Sequence, residues 1–177
     1  MWTNSSDPAA VDTPDTAAER TVRVGVADLA VTEGATLTSS GLGSCVGVAV
    51  YPDSNVVVGG LLHAMLPEVG ERSDGRLGVA AKYVDAGLAE LVSRLERAGA
   101  DRADLVAKVA GGSEMLKLDV GPPVGGRNVA AARDALNELG VDLVAEDVGG
   151  DHGRSLRFEP PTGAFVVTSA HGDTVRL

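Results

Sequence analysis

The chain has 177 residues, enough for one domain with a real core but short for two. Hydrophobic residues make up 44%, which excludes a wholly disordered chain, and aromatics make up only 3%, so the core has to be built from Val, Leu and Ala. The formal net charge of −10 repels phosphate backbones, which argues against nucleic acid as a partner and for proteins.

Lysine is confined to Lys82, Lys108 and Lys117; the other basic residues are Arg. An acidic, Lys-poor surface suits high salt, where the excess charge is screened, and it equally suits an ordinary acidic protein. A single cysteine forbids an intramolecular disulfide and fits a reducing compartment. No apolar run approaches the roughly 20 residues that span a bilayer, and no basic stretch leads into an apolar one at the start. The expectation is a cytoplasmic protein without membrane insertion.

Residues 1–20 are rich in Asp, Ser, Thr, Pro and Ala without apolar period, and read as a disordered acidic tail containing Trp2. A single domain is expected over 21–177. Val22, Val24 and Val26 alternate with Arg23 and Gly25, as in a half-buried strand. Residues 35–40 read as extended. GLGSC follows at 41–45, then VGVAV at 46–50, a turn at Pro52-Asp53-Ser54-Asn55, and a second extended apolar run at 56–66; the two runs make a hairpin. Residues 67–77 read as a loop.

The strongest helical pattern spans 78–98, where Ala81, Val84, Leu88, Leu91, Val92 and Leu95 share one stripe and Gly99 supplies a stop. A strand over 105–110 ends at Gly111-Gly112, which makes a turn or lets a ligand approach the backbone. After a Gly- and Pro-rich stretch at 121–126, a second helix is expected over 127–139, with Asn128 as its cap and Gly140 past its end. Strands at 141–148, 155–159, 164–168 and 174–177 complete an α/β (α+β) layered sandwich of mostly antiparallel sheet, about eight strands with two main helices.

Chemistry centres on Cys45. Gly41, Gly43 and Ser44 precede it, and glycines there allow a tight turn whose N–H groups face whatever binds at the thiol. A lone Cys in an apolar strand is ordinarily a small core residue. His63 adds a second observation, because an imidazole in the apolar run LLHAML needs a polar partner. If the hairpin centres on Ser54, Cys45 lies opposite His63 on the same face, and a base stands beside a thiol. A turn of the other parity pairs Cys45 with Leu62 and breaks that geometry. The imidazole also needs an orienting acceptor, for which Thr38, Ser39 and Ser40 are candidates; strand alternation separates Ser39 from the other two.

Asp147, Asp151 and His152 offer a metal-site reading, which the lack of Cys ligands and the distance of His171 along the chain argue against. The stretch 121–126 lacks the Lys-Ser/Thr ending of a P-loop. Arg127 and Asn128 fit a functional loop, and capping accounts for Asn128 equally well.

The segments GLGSCVGV, GGLLHAMLP, AKVAGGSEM, GGRNV and AEDVGGDHGRS resemble, in order, the chemoreceptor glutamine deamidases of the CheD family, from about Val22 to about Val167. The resemblance implies conversion of receptor glutamines to glutamates with release of ammonia. The nucleophile then corresponds to Cys45 and the base to His63. The family's third residue is a threonine six positions before the cysteine; here that position is Ser39, which keeps the hydroxyl and loses the methyl. Gly43 and Ser44 are the expected oxyanion and substrate loop. The mechanism runs through a thioester without metal or organic cofactor, and a methylated glutamate fits the same chemistry, giving methylesterase activity as a side reaction. The implied partners are the cytoplasmic domains of chemoreceptors and a CheC-type phosphatase of the response regulator; a regulator that acts only by binding that phosphatase is the alternative.

Overall fold

In a computed structural model of the chain, residues 20–54, 57–69, 77–115 and 123–177 are described. The expected tail lies outside these residues except for Arg20, as do Asn55 in the hairpin turn and residues 121 and 122 of the Gly- and Pro-rich stretch.

Ten strands and two α-helices are present among the described residues. The strands are β1 (Thr21–Arg23), β2 (Asp28–Glu33), β3 (Thr36–Leu42), β4 (Val46–Pro52), β5 (Val58–Ala64), β6 (Leu105–Gly111), β7 (Asp142–Val148), β8 (Arg154–Glu159), β9 (Ala164–Ser169) and β10 (Thr174–Arg176). The helices are α1 (Val84–Arg97) and α2 (Val124–Leu139). One sheet has the order β1-β3-β8-β9-β10 and the other β2-β5-β4-β6-β7. Only the β1–β3 and β6–β7 pairs are parallel. The expected α+β sandwich is therefore present, with more strands than the pattern suggested. The strand that the sequence reading did not name is β2, whose DLAVTE lacks clean alternation yet pairs along its length with β5.

The layers follow from side-chain size. In β4, Val46, Val48 and Val50 join Leu62, Leu88, Leu91, Leu95, Val129 and Leu136 in the core between sheet and helices. The alternate positions, Gly47 and Ala49, face the other sheet. That sheet answers with large residues: Leu37, Leu156, Phe158 and Phe165 fill the space left by small ones. A Cβ on Gly47 would overlap Leu156, and one on Gly59 would crowd Pro160 and Phe158. Both Phe residues of this aromatic-poor chain thus lie between the sheets, in edge-to-face contact at 6.1 Å between ring centroids.

The helical stripe behaves as expected: Val84, Leu88, Leu91, Val92 and Leu95 are fully buried. The helix over 78–98 is interrupted, however. Residues 77–82 form 3-10 turns, and Tyr83 is extended (φ −109°, ψ 140°). The cause is Leu66, whose N–H donates to the Lys82 carbonyl and whose carbonyl accepts from the Val84 N–H, so the backbone at 82–84 bonds sideways instead of along a helix. The second helix begins earlier than expected, at Val124 after Pro123, and takes in Gly125 and Gly126. Gly125 is needed because a Cβ there would strike the carbonyls of Gly112 and Ser113. Asn128 is consequently not a cap but a buried residue inside the helix, a correction to the sequence reading. Gly140 ends the helix in the left-handed region at φ 71°, as expected.

Candidate active site

The loop carrying Cys45 is made by a β-bulge and then pinned at both ends. The register of β3 against β8 shifts between Ser40 and Leu42, where Gly41 adopts φ 77°. The chain then leaves β3 and passes Gly43 and Ser44 to reach Cys45 just before β4. The Gly43 carbonyl accepts from the Ser113 N–H (2.9 Å), and the Cys45 carbonyl accepts from the Gly112 N–H (2.8 Å). Gly111, at φ 108°, has no Cβ because one would collide with the Cys45 carbonyl. The close approach at Gly111-Gly112 is therefore to the Cys45 backbone itself.

His63 lies near the end of β5, fully buried, on the face turned toward the other sheet. The hairpin register corrects one expectation. His63 is paired with Gly47, not with Cys45. Of the two parities, the structure has the one that keeps the pair together: Cys45 sits two positions before Gly47 and packs against the inter-sheet cluster, so thiol and imidazole share a face on a diagonal. No hydrogen bond joins them, for His63 Nε2 has no partner among the described residues.

Ser39 comes from the opposite sheet. It is buried in β3 opposite Leu156, and its Oγ lies 2.8 Å from His63 Nδ1. The same hydroxyl donates to the Val24 carbonyl at 2.8 Å. A hydroxyl has one proton, so with that proton on Val24 the Ser39 oxygen can only accept from the ring. His63 Nδ1 therefore carries the hydrogen, and Nε2 presents a lone pair. Thr38, which alternation places on the other face, is paired with Arg23 and Arg157 in its sheet and makes no such contact.

Burial sets the protonation of the pair. Desolvation holds His63 below its ordinary imidazole value, so the ring is neutral. Desolvation also raises the Cys45 thiol above its ordinary value, and the Cys45 backbone N–H, lying toward its own sulfur, brings it part of the way back. The resting site is a thiol beside a neutral imidazole rather than a thiolate–imidazolium pair.

Two supports hold these parts in place, and the sequence reading named no role for the second, Arg154. Asn128 Nδ2 donates to the carbonyls of Ser44 (2.8 Å) and Met65 (2.9 Å), linking the cysteine loop to the end of the histidine strand. The sequence offered Asn128 as a cap or as part of a functional loop; the structure bears out neither the cap nor a loop position, but ties the side chain to the cysteine loop. Behind the 111–113 turn, Arg154 is buried and donates to Ser113 Oγ (2.7 Å), the Gly149 carbonyl (2.8 Å) and the Asp147 carboxylate (3.2 and 3.3 Å). Ser113 in turn donates to the His152 carbonyl at 2.6 Å. The GGDHGR segment thus buttresses the strand turn that holds Cys45.

Asp147 is engaged by Arg154, and among the described residues no three His, Cys, Asp or Glu side chains are grouped to hold a metal. His171 is nevertheless nearer to His152 than its place in the chain suggested, with ring centroids 5.9 Å apart. Arg127 is exposed and lines a groove with Asp85, Asp134 and Glu138 instead of the cysteine loop.

The pattern described as CheD chemotactic sensory transduction matches residues 65–169. The chain belongs to the CheD family. A probable chemoreceptor glutamine deamidase CheD of Haloarcula marismortui is 42% identical over 97% of this chain and 98% of its own length. The chemoreceptor glutamine deamidase CheD of Halalkalibacterium halodurans is also 42% identical, over 85% of this chain and 94% of its own. Among solved structures, the hypothetical protein YfiH of Bacillus licheniformis is a remote likeness, with 14% identity and a TM-score of 0.45 over 73% of this chain and 59% of that one. No described helix of this CheD-family chain is long and apolar enough to cross a membrane.

Proposed function

We propose that this protein deamidates glutamine side chains of chemoreceptor cytoplasmic domains, with Cys45 as nucleophile, His63 as general base and Ser39 orienting the base. The observation that carries the reading is the Ser39–His63 bond. With the Ser39 proton engaged by Val24, the imidazole is fixed in the tautomer that offers Nε2 on the face where Cys45 lies. The names of the relatives supply the substrate class.

When a receptor glutamine docks, His63 Nε2 takes the thiol proton and Cys45 Sγ attacks the amide carbon. N–H groups of the 43–45 loop receive the oxyanion. His63 then gives its proton to the leaving nitrogen, ammonia departs, and a thioester remains. Water, activated by His63, hydrolyses the thioester to glutamate and regenerates the thiol. Nothing in this sequence requires a metal or organic cofactor. A glutamate methyl ester would follow the same steps with methanol as leaving group. Residues 21–177 act as one catalytic domain in the cytoplasm, where receptor domains and a CheC-type phosphatase are within reach.

The test is ammonia release from a receptor cytoplasmic fragment. Cys45→Ala should stop it while the melting temperature stays near that of wild type. Normal turnover by the variant would sink the thiol mechanism. Retained receptor signalling without turnover would favour the reading as a phosphatase-binding regulator.

A further inference from the structure

We infer that Asn128 is a positioning residue for the reaction, orienting the Ser44–Cys45 peptide so that the Cys45 N–H faces the reacting carbonyl, and holding the histidine strand against that loop. The inference rests on the deamidase reading above. Asn128 is fully buried in α2, and it spends both amide hydrogens on backbone carbonyls: Ser44 at 2.8 Å and Met65 at 2.9 Å. Ser44 immediately precedes the nucleophile, and Met65 lies two residues after the base.

The peptide unit is planar and trans, so its C=O and N–H point in opposite directions. Fixing the Ser44 carbonyl on Asn128 therefore fixes the Cys45 N–H on the far side. That N–H lies toward the Cys45 sulfur, where a thiolate and then an oxyanion develop. The loop has few other means of holding this direction. Ser44 is exposed, and the bonds from Gly112 and Ser113 grip the carbonyls on either side of the Ser44–Cys45 peptide, at Cys45 and Gly43.

The other end of the side chain supports the same reading. Asn128 Oδ1 is buried without a hydrogen-bond partner among the described residues. An unpaired buried acceptor costs stability, so this side chain is poorly suited to a purely structural role. An exchanged amide orientation would set Oδ1 against two carbonyls, which excludes it.

The experiment compares the full-length wild type with Asn128→Leu, Asn128→Ser, Ala132→Gly and Cys45→Ala in steady-state ammonia release from a receptor fragment. Leu keeps the branched outline of Asn without its donors but is bulkier; Ser leaves a smaller polar group should the Leu variant fail to fold. Ala132, fully buried four residues further along α2, reports what mere destabilisation of the helix does. The expected result is a kcat lowered about 10- to 100-fold in the folded Asn128 variants, with KM within about twofold of wild type. Ala132→Gly should keep the wild-type kcat below its melting temperature. An unchanged kcat in either folded Asn128 variant overturns the inference, as does an equal loss in Ala132→Gly. If wild type and Cys45→Ala release ammonia alike, the deamidase reading itself has failed; if Cys45→Ala is dead while the Asn128 variants are normal, only the positioning role has.

Discussion

Ser39 carries more of the site than its size suggests. From one sheet it bonds His63 on the other, and it settles the tautomer by having its only proton elsewhere. Ser39→Ala should lower turnover about 10- to 100-fold, as for groups that orient a reacting imidazole, and should cost about 1–3 kcal/mol by leaving Nδ1–H buried and unpaired. Kinetics and a urea titration of the same preparation measure both; loss of stability without loss of rate would make Ser39 merely a packing residue. The protonation state gives a second expectation. Because burial raises the Cys45 thiol, its alkylation midpoint should lie above the ordinary thiol value, and as the chain has one cysteine the signal belongs to Cys45 alone. Because burial lowers His63, the ring takes up its proton at lower pH than an ordinary imidazole, so the acid limb of kcat/KM should lie under the ordinary imidazole value of 6.5. A midpoint well below the ordinary thiol value would instead reveal a preformed ion pair.

At the level of elements, the site is a matter of strand ends held in register. β3, β4, β5 and β6 each deliver one part: Ser39, the Cys45 loop, His63, and the Gly111-Gly112 turn that pins Cys45. The tightest constraint is Gly111, where φ 108° and the adjacent Cys45 carbonyl both exclude a side chain. Gly111→Ala should therefore destabilise the domain by about 1–3 kcal/mol and displace the nucleophile, lowering turnover even at temperatures where the fold persists. Thermal melts alongside ammonia release separate the two effects, and a variant with normal rate would show that the loop tolerates the shift. The buried Arg154 network lies one layer further back and stiffens the same turn from behind.

The whole molecule is a three-layer sandwich whose inter-sheet space is narrow because small residues line one side of it. That narrowness lets Ser39 and His63 meet across it. Around this interior lies a surface with net charge −10. Its ion pairs, such as Arg94–Glu90 at 2.7 Å and Arg102–Glu96 at 2.8 Å, are exposed and contribute little each. Self-repulsion therefore dominates the electrostatics, and raising salt from 0.1 M to 1 M, which shortens the screening length from about 10 Å to about 3 Å, should raise the melting temperature. A falling melting temperature would mean that the ion pairs outweigh the repulsion.

Much of this was legible in the residues. Alternation in β4 and the stripe in α1 announce their elements because a buried face imposes its period on the chain. Cys45 and His63 were legible only as a conditional pair, sharing a face in one hairpin parity and not in the other; the side-chain period in a strand is two, so a slip of two residues preserves the face. That is why the register could differ by two positions while the face stayed right. β2 was not legible, because its partner's hydrogen bonds rather than its own pattern make it a strand. The break at Tyr83 and the role of Asn128 were likewise decided only in three dimensions, by carbonyls and N–H groups contributed from distant points of the chain. Sequence determined the family and named Cys45, His63 and Ser39 as the candidate residues, while the hairpin parity stayed open. Only tertiary structure decided the tautomer of His63 and what holds the cysteine loop, because both depend on hydrogen bonds between groups far apart in the chain.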